Sequence, residues 1–379
     1  MKLDLNSKIK LGIDAKWFFE GPPSGNMVVK NLVDEIIRNN RGRYDIYLLL
    51  TQKSKAQAIA HFPAGINLIF LPNVPNLLSN MLIIPYVAWK HNIEVMLFQN
   101  FSSLWSLGLY TIAYIHDVLF LDHPQYYTKA ELLYFKNMKY LAARADMIIT
   151  ISGTEKERLV KNHVSSENKT AVVYHGINDH FKTLSSYPLQ QMDDVARKYN
   201  LPGRYLLCVG RVNIRKNLIS LVKALALIDD PAIKLVIVGE QGSINSQIED
   251  HIEAGNLKDR VVFTGHVPEE DLYLIYARAT IFCFPSFAEG FGLPPLEAMQ
   301  CGVPVVVSNR TAMPEVCGDA AVYIDPDSTF DIAHKINNLL NDVDYYRQKV
   351  TEGINHAKNF TWERSANNLL NIIDNAYVN

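Results

Sequence analysis

Two glutamates, Glu289 and Glu297, stand eight positions apart in FAEGFGLPPLEAMQCGVPVV (287–306), the first on a glycine-rich stretch and the second in a run of helical character. Carboxylates accept hydrogen bonds from paired hydroxyls such as those of sugars and riboses. Pro294 or Pro295 suits a first helical turn, and Glu297 would then sit in that turn, where the helix dipole favours an acid. Glu289 precedes the helix and has no such structural reason, so it reads as a ligand-binding acid among bare backbone N–H groups. A second cluster lies in VGRVNIRKNL (209–218), where Arg211, Arg215, Lys216 and Asn217 occupy a strand-to-helix turn. Cations are unfavourable at a helix N-terminus unless an anion sits between, so the turn is either a phosphate site or a solvated basic loop.

Two further stretches carry candidate chemistry. In EGPPSGNMVVKN (20–31), Gly21, Ser24 and Gly25 precede a helix. That is either a backbone approach to a phosphate or a plain Gly/Pro loop. In IHDVLFLDHP (115–124), His116 and Asp117 close an apolar strand. A histidine there faces a ligand crevice, where it accepts a proton or hydrogen-bonds a sugar hydroxyl; the alternative is a structural histidine.

Other motifs are excluded. There is no GxxxxGK[ST] loop, and neither half shows GxGxxG after its first strand. Asp325-Pro326-Asp327 reads as a strand-end turn and Asp342-Val343-Asp344 as part of a polar helix, so neither is read as a metal site. With Lys and Arg neutralising phosphates, no metal and no cofactor are expected. Cys208, Cys283, Cys301 and Cys317 form no CxxC pair and read as buried thiols in a reducing cytosol.

The elements that must position these residues alternate. Strand-like runs fall at 9–15, 44–50, 66–72, 93–100, 111–117, 147–152 and 170–176, with a helix-spaced run at 26–40. The stretch 179–203 is polar and reads as an interdomain link with a lead-in helix. The pattern restarts at 205–210, 234–239, 261–265, 281–286, 303–309 and 321–326, and 360–379 reads as an amphipathic terminal helix. The spacing is that of strand–helix–strand units, which makes two doubly wound α/β domains, with ligands at the strand ends. A chain of 379 residues, 48% hydrophobic and 20% charged, fits that size and a soluble globular class.

Net charge is −2, which argues against nucleic-acid binding. Lys and Arg outnumber Asp and Glu 20 to 15 in residues 1–185, whereas 186–379 carry 17 against 24. The N-terminus has no signal-peptide core, and no apolar run is long enough to span a bilayer. The apolar stretch 76–110 either packs inside the first domain or offers pieces to a membrane carrying a lipid-linked glycan.

Taken in order, these segments resemble the retaining glycosyltransferases of family 4 (glycosyl transferases group 1). The Glu289-x7-Glu297 spacing resembles that family's signature, IHDVLF its acceptor-side segment and VGRVNIRKN its diphosphate-binding turn. MIITISGTEKERL, VVYHGIN, LVIVGEQG, FTGHVPEEDLYLIYARA and FTWERSA are also similar. The resemblance implies a GT-B architecture: two Rossmann-like domains (1–185 and 186–358) facing a central cleft, with 359–379 packing back on the first. It implies that Glu289 contacts donor-sugar hydroxyls and Glu297 the ribose. Backbone N–H groups around Gly290, Phe291, Gly292 and Leu293 lie near the donor, Arg211 and Lys216 hold the diphosphate, and Arg215 assists or replaces Arg211. Gly25 would let the first loop approach the diphosphate, and His116 with Asp117 would serve the acceptor side. GPPSGN departs from the Gly-Gly or Gly-Ile-Gly opening of many relatives.

The reaction so implied transfers a hexose from a nucleotide-diphosphate sugar, GDP-mannose as first expectation, to a glycan or lipid-linked glycan of a bacterial surface polysaccharide. The expected location is cytoplasmic, with peripheral contact at the inner face of the plasma membrane left open. Two other readings stand beside it: a GT-B-like sugar-nucleotide epimerase and a noncatalytic nucleotide-sugar-binding protein.

Overall fold

The computed structural model describes residues 8–240 and 245–377; Gln241 and Gly242 of the LVIVGEQG segment lie outside them. The chain divides into two compact units, Met1–Gly176 with Trp362–Asn379, and Ile177–Thr361. It crosses between them at Gly176–Ile177 and Thr361–Trp362, against the 185–186 and 358–359 expected. Residues 179–203 accordingly lie inside the second unit, where helix Leu189–Lys198 packs on helix Glu269–Arg278.

The first unit is a seven-stranded parallel sheet. Its strands are β1 (Ile9–Asp14), β2 (Tyr44–Thr51), β3 (Asn67–Leu71), β4 (Val95–Gln99), β5 (Tyr110–Ile115), β6 (Met147–Thr150) and β7 (Thr170–Val172), in the order β3-β2-β1-β4-β5-β6-β7. Each expected strand is present. β5 stops at Ile115, which leaves His116 and Asp117 in the loop beyond it. The apolar runs need burial on both faces, and helices supply it. Helix Pro23–Asn39 buries Val28, Val29, Leu32, Val33 and Ile36, and helix Trp362–Tyr377 packs against it. That second helix is tied further by Ser365 Oγ donating to Tyr174 O at 2.5 Å and by Arg43 pairing with Asp374 at 2.5 Å.

The second unit is a six-stranded parallel sheet. Its strands are β8 (Tyr205–Val209), β9 (Lys234–Val238), β10 (Val261–Gly265), β11 (Ile281–Phe284), β12 (Val305–Ser308) and β13 (Val322–Ile324), in the order β10-β9-β8-β11-β12-β13. Leu206, Leu221, Leu225, Leu235, Ile237 and Ile281 sit in its buried core. The four cysteines are free and buried. Strand order reverses between β1 and β4 in one unit and between β8 and β11 in the other, the places where open α/β sheets leave a crevice beyond the carboxyl ends.

Candidate functional site

The basic turn leaves β8 at the reversal point of the second sheet. Gly210 takes φ +144, and a Cβ there would meet Lys216 Cε at 3.0 Å. Asn213 caps the short turn Ile214–Lys216 by accepting the Lys216 N–H at 3.1 Å. Asn217 then turns left-handed (φ 55) before helix Leu218–Leu225. Its amide donates to Pro285 O (3.1 Å) and Pro326 O (2.7 Å), which ties the turn to the ends of β11 and β13.

This geometry brings Lys216, Arg215 and Glu289 together. Lys216 Nζ donates to Glu289 Oε1 at 2.8 Å and lies 4.1 Å from the centre of the Phe284 ring. Arg215 Nη1 lies 2.6 Å from Glu289 Oε2 and donates to Ala288 O at 2.6 Å. Burial pushes the Glu289 carboxyl up, but the two cations outweigh it and hold it at about 2. Burial lowers Lys216, with Glu289 opposing. Glu289 therefore does have a structural reason, contrary to the sequence reading: it is the buried counter-ion of two cations. Its two oxygens retain further lone pairs for ligand hydroxyls.

Arg211 behaves differently from Arg215. It is exposed and makes no ion pair among the described residues. Thr311, which spacing gave no reason to select, holds Glu289 from behind: its Oγ1 accepts the Glu289 N–H at 2.9 Å. It does so at φ 54, a costly backbone for a β-branched residue.

Glu297 is the second correction. The helix Leu293–Gln300 starts at Leu293, with Gly292 as N-cap, so Glu297 falls beyond the first turn and the dipole does not explain it. Burial instead pushes its carboxyl up to about 7, against the pull of the Tyr276 hydroxyl. Pro294 and Pro295 carry no N–H, so Gly292 and Leu293 are the residues able to offer donors at the helix start. Gly292 takes φ +109, and a Cβ would strike Met313 Cε at 2.2 Å, so glycine is required twice over. Gly290 and Phe291 complete the loop and are buried.

In the first unit the helix begins at Pro23, three residues before the expected start. Gly25 lies inside its first turn, not on a loop, and a Cβ there would meet Trp17 Cε3 at 2.8 Å. Its glycine is accounted for by that packing. His116 is half-buried, and its Nε2 lies 2.9 Å from Gln99 Oε1. A carbonyl oxygen partner requires the Nε2–H tautomer, which leaves Nδ1 as an acceptor. Burial lowers His116 to about 4, so it is neutral near pH 7. The loop after it is fixed by Glu155, which accepts the Val118 N–H at 2.8 Å and pairs with Arg158. Asp117 accepts the Leu119 N–H at 3.4 Å.

Beside His116 lies a polar cluster that spacing did not single out. Lys16 Nζ donates to Asp14 Oδ2 (3.0 Å) and Asn80 Oδ1 (2.6 Å), and Asn80 Nδ2 donates to Gln99 O (3.2 Å) and Phe101 O (2.9 Å). The available signal was polar residues closing consecutive neighbours in the sheet, Asp14 on β1 and Gln99 on β4. The two aspartate pairs are engaged otherwise. Arg310 bonds Asp325 (3.1 Å) and Asp327 (2.5 Å), and Asp342 caps helix Val343–Ala357. Among the described residues no cluster of three or more His, Cys, Asp or Glu has metal-binding geometry.

Comparison with known proteins follows this division. Residues 26–181 match the family model "Glycosyltransferase Family 4" and residues 192–356 match "Glycosyl transferases group 1". The chain is 31% identical over 261 residues to the O-antigen chain mannosyltransferase B of Escherichia coli, covering 68% of each chain. It is 27% identical over 265 residues to the serotype-specific mannosyltransferase WbdA of Escherichia coli, covering 68% of this chain and 32% of that protein, about a third of its length. The fold is similar to that of Anabaena Alr3699/HepE, solved in complex with UDP and glucose. TM-score is 0.73 at 18% identity, covering 97% of this chain and 100% of the other.

Proposed function

The chain belongs to the group 1 / family 4 glycosyltransferases, with their two-domain GT-B fold, and from that premise we propose that it transfers a mannosyl group from GDP-mannose, with retention, to a glycan or lipid-linked glycan of a bacterial surface polysaccharide. The mannosyltransferase names of its relatives support the sugar. The observation that carries the reading is the Lys216–Glu289–Arg215 cluster at the β8/β11 reversal.

Transfer breaks the bond between the sugar C1 and the diphosphate oxygen and forms one from C1 to an acceptor oxygen. Negative charge builds on the diphosphate, and fixed cations in a dry site stabilise it. Lys216 and Arg215 would serve there, with exposed Arg211 as a third donor, while the leaving phosphate takes the acceptor proton. Glu289 would accept hydrogen bonds from sugar hydroxyls, Glu297 from the ribose, and Gly290 to Leu293 would line the donor. No metal enters this scheme, since these cations meet the same charge; chelator should leave the rate unchanged.

The acceptor side rests on the first unit, with neutral His116 offering Nδ1. Helix Lys129–Ala142 exposes Leu133, Tyr134 and Tyr140 among Lys129, Lys136 and Lys139, with Glu131 its only acid. The segment 76–90 exposes Leu78, Leu82, Tyr86 and Trp89 at helical spacing. Such faces suit a peripheral contact with an anionic bilayer bearing a lipid-linked acceptor. No described helix is long and apolar enough to cross a membrane.

The test is a thermal-shift panel of GDP, UDP, dTDP and their sugars, followed by turnover with a mannose-terminated acceptor. Glu289→Ala should nearly abolish transfer and Lys216→Ala should weaken donor binding; normal turnover in both sinks the assignment. Donor converted to a new sugar nucleotide without acceptor would favour an epimerase, and binding without turnover a sensor.

A further inference from the structure

Trp17 follows β1 at the reversal point of the first sheet and is half-buried. Two glycines make room for it. A Cβ on Gly21 would lie 2.9 Å from its Cγ, on the pyrrole half, and a Cβ on Gly25 would lie 2.8 Å from its Cε3, on the benzo half. Gly25 stands inside a helix, where glycine is unfavourable and no positive φ calls for it. The indole is what demands it.

The backbone that carries the indole is pinned as well. Asn26 Nδ2 donates to Trp17 O (2.8 Å) and Phe18 O (2.9 Å). Phe18 is buried against Phe62, with ring centres 4.8 Å apart. The backbone at Trp17 is thus held in place, and its Nε1–H meets no partner among the described residues. The ring centre of His116 lies 5.7 Å away, inclined by 39°. A half-exposed aromatic ring on a fixed backbone, with an unused N–H and beside a neutral imidazole with an unused acceptor, is the chemistry that takes a pyranose. The apolar C–H face of the sugar stacks on the ring, and its hydroxyls meet the polar edges.

We propose that Trp17, seated in the Gly21–Gly25 notch beside His116, is the stacking platform for the acceptor sugar. The proposal rests on the glycosyltransferase reading above and adds the residue that holds the acceptor. It also accounts for the glycines of GPPSGN through the indole.

The test uses methyl α-D-mannopyranoside as probe, without donor, on full-length protein labelled at the indole nitrogens. The Trp17 resonance, assigned by its loss in Trp17→Phe, should shift on titration while those of the other tryptophans stay. In turnover with α-mannobiose and GDP-mannose, Trp17→Ala should raise the acceptor KM about tenfold, Trp17→Phe less, with the donor KM unchanged. Gly25→Ala, which displaces the ring without removing it, should do the same, and covers the case where Trp17→Ala fails to fold. An unmoved Trp17 resonance, or an unchanged acceptor KM in Trp17→Phe and Gly25→Ala, overturns the proposal. GDP binding followed by calorimetry separates the two levels: if wild-type protein binds no nucleotide diphosphate, the transferase reading falls; if it binds and turns over while Trp17 is inert, only the platform falls.

Discussion

Glu289 accepts a hydrogen bond from Lys216 at 2.8 Å in a buried setting, so each of the two groups depends on the other for its charge. Truncating Glu289 leaves a buried ammonium unpaired, which costs roughly 3–5 kcal/mol unless the lysine releases its proton. Glu289→Ala should therefore weaken GDP binding as well as transfer, although the acid repels the diphosphate. The double variant Glu289→Ala/Lys216→Ala should be less destabilised than the sum of the singles by about 0.5–3 kcal/mol. Denaturant unfolding of the four proteins measures this; strict additivity would refute the coupling.

The two arginines should separate. Arg215 is bonded to Ala288 O and Glu289, whereas Arg211 is exposed and uncommitted. Arg215→Ala is expected to lower both the melting temperature and GDP affinity. Arg211→Ala should leave the melting temperature in place and weaken GDP by about tenfold, most at low salt. Calorimetry at two ionic strengths beside a melting curve distinguishes them.

Glu297 should give a stability penalty that grows with pH. Its carboxyl keeps its proton to about 7 in the folded chain but loses it near 4.5 when unfolded. Between those values the unfolded state binds fewer protons, so stability falls as pH rises through that window. Glu297→Gln should then be more stable than wild type by roughly 1–3 kcal/mol at pH 8 and about equal at pH 4.5, while binding GDP more weakly. Melting curves across that range test the sign.

The surface of the first unit makes a separate prediction. Wild-type protein should co-sediment with vesicles containing phosphatidylglycerol and not with neutral phosphatidylcholine vesicles. Lys136→Glu with Leu133→Ser should abolish it, with no loss of GDP affinity, because those residues are exposed on a helix of the first unit.

All thirteen strands among the described residues were legible because parallel strands buried on both faces are written as continuous apolar runs, as in KLVIVG and YLLCVG. The basic turn was legible too, since three cations at a helix start contradict the dipole. What spacing could not supply was pairing. Glu289 looked unpartnered because its cations lie more than seventy residues away, and Glu297 looked explained because the helix start was placed too late, past Leu293. Gly25 was read as backbone access since nothing local shows that Trp17, eight positions earlier, fills its Cβ space. Thr311 and Asn80 left no trace: their roles are set by tertiary hydrogen bonds alone.

Asn217 has a practical consequence for redesign. Its single amide bridges the ends of two strands distant in sequence, so the basic turn is not a portable cassette. Transplanting 209–218 from a homologue with a different sugar preference would bring the cations without their frame. A chimera must exchange the segments around Pro285 and Pro326 together with the turn. Libraries confined to one loop would sample misaligned variants, and three-segment shuffling is the smaller effective search.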